Sequence, residues 1–318
     1  MNEYRYHDGR KIAAILTIFS IFIILLSYIG FVNLDHVFFN PVNAQESIST
    51  NYNITDSNST HNSISLIKNM LAKNLENRIQ KAGAIFEITS KLPQIRNLSN
   101  AHLLNQTLNT LHGIPQNAEI EKRQVVRNIL ASNNDLYEIF LLMPNGNMYF
   151  LEPYPIQKTL SLNNYAFRDY FQGAIKTNDI YLGNVHNTAA ASGVRTAKIA
   201  VPVYSLKDNS TIVGVWAGSI DFNILSKELQ SLNLTSLGDN TRVIYVDSKG
   251  QKIADSDIKK STIPESFSNL TGFKAAIGGQ TGSTIEKVGN QNMLVAYQPV
   301  NAFHNTWVVL LMQKSPPL

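Results

Sequence analysis

The sequence contains no cysteine. That excludes a disulfide framework, a thiolate metal site, a cysteine nucleophile and a lipidated N-terminal cysteine. It does not fix the compartment, because a large extracytoplasmic domain can rely on its core alone. Charge is also sparse: charged residues make up 16% of the chain, and no run of five or six basic residues occurs. Residues 1–44 balance three basic against three acidic side chains, so the formal charge of +4 belongs to residues 45–318. Spread that thinly, it gives no reason to expect nucleic-acid binding.

Catalytic signatures are missing too. The histidines, at positions 7, 36, 61, 102, 112, 186 and 304, show no metal-ligand spacing such as His-Glu-x-x-His. There is no Gly-x-Ser-x-Gly elbow and no Gly-rich phosphate loop. The chain is therefore not expected to be an enzyme, and no cofactor or metal is expected.

What is present is apolar material. With 44% hydrophobic residues over 318 positions, the chain can build a packed core, and its length suggests about two domains. The run "IAAILTIFSIFIILLSYIGFV", residues 12–32, carries no charge, and about 20 apolar residues suffice to cross a bilayer as a helix. Arg5, Arg10 and Lys11 precede it, and Asp35 is the first charge after it. The positive-inside rule then leaves residues 1–11 cytoplasmic and the bulk of the chain outside, as a single-pass membrane protein. A cleaved signal peptide is the rival reading, with Val42 and Ala44 at the cleavage-site positions. The length of the run favours an uncleaved anchor. The seven Asn-x-Ser/Thr sequons add little, since asparagine is abundant.

Residues 33–62 read as a flexible spacer, polar and aperiodic in "QESISTNYNITDSNSTHN". A long stalk helix follows over 63–93. Ile67, Met70, Leu71, Leu75, Ile79, Ala82, Ile85 and Phe86 recur at three- and four-residue spacing, and Pro93 ends it. At ~1.5 Å per residue it is about 45 Å long, enough to run along two stacked domains or to pair with a copy of itself. A second helix is expected over 118–131, with Ile120, Val126, Ile129 and Leu130 inward.

The period then changes. "YEIFLLMPNGNMYFLEP" reads as a hairpin turning at Asn145-Gly146. A short helix is expected from about Tyr165 to Lys176, then three strand-like segments ending in "TIVGVWAGSID". After a connecting helix, "TRVIYVDSKGQKIADS" is a second hairpin, "TGFKAAIGG" a second short helix, and three more strands close the chain. The fold class is α+β, with antiparallel sheets. The order of hairpin, short helix and three strands occurs twice, over 94–222 and 223–318, with no residue-level repeat evident in the sequence.

"NNYAFRDYFQGAI", residues 163–175, sets a charge pair among four aromatic rings. A guanidinium offers a rigid fork of donors that matches a carboxylate or phosphate. On a helix Arg168 and Phe171 share a face and Asp169 points elsewhere. Two readings stand: Arg168 binds an anionic ligand, or it makes a structural ion pair with Tyr170 and Phe171 as core. Asp221 is a ligand contact or the cap of the following helix. His186 is an anion donor or a plain loop histidine. Tyr181, Tyr204 and Trp216 are core or pocket wall, and Arg195 and Lys198 are strand-surface charges or ligand contacts.

The order of elements resembles the double Cache family, the PAS-like extracellular sensor domains of bacterial and archaeal chemoreceptors, histidine kinases and cyclases. "YAFRDYFQGAI", "IYLGNVHNTAAASGVRTAKIAVPVYS" and "TIVGVWAGSID" carry the resemblance, over about residues 63–314. It implies two tandem Cache modules on a stalk helix, with a small ligand in the membrane-distal module, 94–222. In amino-acid-binding members Arg168 would match the carboxylate-binding arginine, Tyr170 and Phe171 the aromatic pair, and Asp221 the final amine-binding Asp. Asn163, Asn187 and Ala189 stand where those members carry the remaining Tyr and Asp. The expected function is thus a membrane-anchored extracytoplasmic sensor or binding protein for a small anionic or zwitterionic molecule: a carboxylate, an amino-acid-like compound or an amine. Arg168, Tyr170, Phe171, Tyr181, His186 and Asp221 are its candidate ligand residues. No output segment follows "QKSPPL", so signalling is expected to need a separate partner, and the stalk helix could support a homodimer. The alternative is a structural or adhesive surface protein with the fold and no ligand.

Overall fold

An amphipathic stripe makes the first helix, α1, Ser57–Ser90. Ile64, Leu71, Leu75, Ile79, Ala82 and Phe86 are all buried along it. The computed structural model describes residues 57–190, 194–238 and 240–314. The expected membrane span at 12–32 and most of the spacer lie outside these. Among the described residues no helix is long and apolar enough to cross a membrane. The spacer was expected to reach residue 62, yet residues 57–62 are already helical. A helix nucleated by a packed stripe extends cooperatively into polar flanking residues. Its other end falls short of Pro93, which opens a separate short helix, α2, Pro93–Arg96, as proline does at a first helical position.

At 34 residues, α1 is ~51 Å long. It packs along strands of both sheets described below, so its stripe is covered by its own chain. A 3₁₀ turn at Ala101–Leu103, helix α3, Leu104–Leu111, and helix α4, Ile120–Ser132, follow. Ile120, expected inward, is 63% exposed. Glu119 just before it is left-handed (φ 58°), so the helix starts with Ile120 turned out. Arg123 fills the interior instead, donating to Glu152 and to the carbonyls of Ala118, Ile114, Pro115 and Leu151.

The first sheet begins with the hairpin β1, Leu136–Leu142, and β2, Met148–Glu152. Gly146 turns it at φ +84°, and a Cβ there would meet the Ala166 nitrogen at 2.5 Å. Helices α5, Tyr154–Lys158, and α6, Asp169–Thr177, come next. Strands β3 (Tyr181–Leu182), β4 (His186–Asn187), β5 (Arg195–Thr196), β6 (Lys198–Tyr204) and β7 (Ile212–Ile220) complete the unit. Helix α7, Phe222–Ser231, leads to the second hairpin, β8 (Arg242–Val246) and β9 (Lys252–Asp255). Helix α8, Thr271–Ile277, and strands β10 (Gly282–Val288), β11 (Gln291–Ala302) and β12 (Asn305–Lys314) end the chain.

The sheets run β2-β1-β7-β6-β3 and β9-β8-β12-β11-β10, all antiparallel. Each lays its first hairpin strand beside its last strand, so the two orders are identical. The repeat that the sequence hides is visible in the hydrogen bonds. Tyr165 N donates to Gly146 O, and Phe267 N to Gly250 O. Arg168 N donates to Tyr165 O, and Leu270 N to Phe267 O. Arg168 and Leu270 are then the N-caps of α6 and α8, with the same extended backbone.

Candidate functional site

One face of the first sheet meets α6 and the segment before it. The helix expected from Tyr165 starts four residues later, at Asp169. Residues 163–166 are tied to the hairpin turn through Met148 N to Asn163 O, Tyr165 N to Gly146 O and Asn164 Nδ2 to Asn147 Oδ1. A backbone committed to the turn cannot start a helix. Arg168 is therefore extended (φ −73°, ψ 140°) and does not share a helical face with Phe171. Its guanidinium stacks on Phe167, 4.9 Å from the ring centroid, and donates to Asn187 O at 3.2 Å. Asp169 turns the other way and accepts from Asn184 N at 2.7 Å and Asn184 Nδ2 at 3.1 Å.

Beneath Arg168 is a small cavity of about 20 Å³ lined by Glu138, Phe140, Tyr165, Arg168, Tyr170, His186, Thr188, Ala189 and Lys198, among others. That is room for about one water molecule. The floor is a polar rung across three strands. Ladder pairing aligns Glu138 on β1 with Ser219 on β7, and Ser219 with Lys198 on β6. Lys198 Nζ lies 2.5 Å from Glu138 Oε1 and also donates to Ser219, whose hydroxyl is 2.5 Å from the same Glu138 oxygen. Glu138 Oε2 is buried with no partner among the described residues. Lys198 is further held over the rings of Phe140 and Tyr137, at 5.3 and 5.9 Å.

His186 stacks on Tyr170, with centroids 5.7 Å apart and planes at 28°. Burial first, then the nearby Lys198 and Arg168 charges, lower its pKa to about 3. The imidazole is neutral at ordinary pH, one nitrogen bonded to Asn184 O at 3.1 Å. Burial likewise raises the Tyr165 and Tyr170 hydroxyls well above their usual range. The wall thus holds two cations, one carboxylate and a neutral imidazole among aromatic faces.

Of the six candidates, Arg168, Tyr170 and His186 line this cavity. Phe171 is buried core beside it, and the half-buried Tyr181, on edge strand β3, packs against Gly173 of α6. Asp221 caps α7 by accepting from Asn223 N at 2.9 Å and is not in the lining. Arg195 reaches instead to Lys252 O, at 2.8 Å. Glu138 and Ser219 escaped the sequence reading. A lone glutamate inside "LYEIFLL", two residues from Phe140 on a pleated strand, was the signal that could have found Glu138.

A family model described as Cache domain matches residues 47–316. The chain belongs to the Cache domain family. Solved Cache structures share its fold. The ligand-binding domain of Pseudomonas fluorescens chemoreceptor CtaA, in complex with L-isoleucine, aligns at 15% identity and a TM-score of 0.55, covering 81% of this chain and 93% of that one. The ligand-binding domain of the Pseudomonas aeruginosa PAO1 chemoreceptor PctC, in complex with GABA, gives 18%, 0.53, 80% and 100%. The periplasmic sensory domain of Campylobacter jejuni chemoreceptor Tlp1 gives 14%, 0.54, 81% and 96%. At these identities the likeness shows the fold alone. No curated protein sequence matches the chain.

Proposed function

We propose that this Cache protein is an extracytoplasmic sensor or binding protein. It holds a small anionic or zwitterionic molecule in the unit of residues 94–222, and residues 12–32 anchor it in the membrane. The observation that carries this is the polar rung Glu138–Ser219–Lys198 beneath Arg168 and His186. Charges are buried in a core at a cost unless they are used or well paired. Cache domains are sensory ligand-binding domains, and the CtaA and PctC domains were solved with L-isoleucine and GABA. Arg168 is the anion-binding group: it is half-exposed and held by one hydrogen bond and one exposed ring. A ligand larger than water requires this segment to swing outward.

One observation favours a second reading. At about 20 Å³ the cavity is too small for such a ligand, as a structural surface protein would have it. A thermal-shift screen of the full chain in detergent against carboxylates, amino acids and amines separates the two. A ligand at 100 times its Kd adds ~2.7 kcal/mol, and Arg168→Ala should abolish that gain. Equal protection of Arg168→Ala, or no protection by any compound, removes the sensor reading.

A further inference from the structure

Resting on that reading, we infer that the Glu138–Lys198 pair recognises a neutral group that both donates and accepts a hydrogen bond, a hydroxyl or a carboxamide, at the end of the ligand away from its carboxylate. The pair is almost wholly buried, with side-chain exposures of 2% and 6%, and both residues line the cavity. Their hydrogen-bond capacities are incompletely used. Glu138 Oε1 takes Lys198 and Ser219, while Oε2 takes nothing. An ammonium has three donors; Lys198 directs two of them to Glu138 and Ser219, and among the described residues it meets no third oxygen.

The floor therefore presents one free acceptor and one free donor, from two groups whose charges cancel. Buried polar atoms are normally satisfied, so this combination defines its complement. A hydroxyl or carboxamide donates to Glu138 Oε2 and accepts from Lys198. A ligand ammonium would meet the Lys198 charge, and a second carboxylate would meet Glu138. At the mouth Arg168 keeps most of its five donors for an anion. The ligand class is thus a small carboxylate carrying a hydroxyl or an amide, as opposed to an amine or a dicarboxylate.

Isothermal titration of the full chain with matched acids of three to five carbons tests this. The far end of each is a methyl, hydroxyl, carboxamide, ammonium or second carboxylate. The hydroxyl and carboxamide acids should bind at least about tenfold tighter than the others, as expected where a site's hydrogen bonds go unmet. Lys198→Met frees Glu138 and should shift preference to the ammonium acids. Glu138→Gln frees Lys198 and should shift it to the dicarboxylates. Circular dichroism confirms that each variant is folded, and the wild-type ranking stands without them. Binding that depends on Arg168 but shows no hydroxyl or carboxamide preference overturns this inference and leaves the sensor reading intact. No binding by any acid, or binding indifferent to Arg168→Ala, overturns both.

Discussion

The two sheets have one strand order and two interiors. Ladder register lets them be compared position by position. In the first, the rung under the helix is Glu138–Ser219–Lys198; in the second it is Arg242–Met312–Val295. The helix N-cap over the rung is Arg168 in one and Leu270 in the other. Met312, Val295, Leu270, Phe267 and Phe273 close the second interior as plain core. Arg242, over the ring of Phe267, is fully paired, with the buried Asp255 2.5 Å away and with Glu265. The same strand order thus carries a polar rung beside a small cavity in one unit and a rung of Arg, Met and Val in the other. The proposed site thus depends on the rung and not on the topology, which both units share.

The largest test of this contrast is Lys198→Met. It leaves Glu138 buried without its cation, and breaking a buried pair this way costs about 3–5 kcal/mol. Urea unfolding measures it. A loss under about 1 kcal/mol would mean that the rung is well hydrated and the contrast with the second sheet only apparent.

Next is Leu270→Ala, the counterpart of changing Arg168. It removes core packing, with an expected loss of about 2–3 kcal/mol and ligand binding retained by the folded fraction. The same denaturation series checks it, and impaired binding at full folding would show that the second interior also takes part in recognition.

The third test is acid. The folded pKa of His186, about 3, lies below its ordinary 6.5, so the unfolded chain takes up the proton first. Its contribution is whole above pH 6.5 and is lost as pH falls toward 3, at up to ~1.4 kcal/mol per pH unit. His186→Gln should flatten the urea midpoint between pH 7 and pH 4.5 relative to wild type. An unchanged slope would place this acid sensitivity elsewhere in the molecule.

The smallest effect on stability is expected from Arg168→Ala, under about 1 kcal/mol. Its contacts are one hydrogen bond and a stack on exposed Phe167. A drop above about 2 kcal/mol in a thermal melt would show Arg168 to be structural, as Leu270 is.

Much of the architecture was legible from local pattern. The stripe from Ile67 to Phe86, the turns at Gly146 and Gly250 and the two short helices follow from periodicity and turn chemistry, which act over a few residues. The errors came where distant chain intervenes. Arg168 left its helix because the turn at Asn145–Asn147 holds the residues before it. Ile120 turned outward because Arg123 finds its carbonyl partners on neighbouring segments. For Asp221, read as a ligand contact or a helix cap, the local cap is what the structure shows.

By itself, then, the sequence determined the class of fold and the doubled order of elements, and it singled out the segment around Arg168 as a candidate. Tertiary structure alone decided the site's floor. Glu138, Lys198 and Ser219 are up to 81 positions apart and meet only because antiparallel register sets β1, β7 and β6 side by side. A charge in an apolar strand is a weak signal on its own. Three polar groups sharing one buried rung are a candidate site, and that sharing exists only once the sheet has formed.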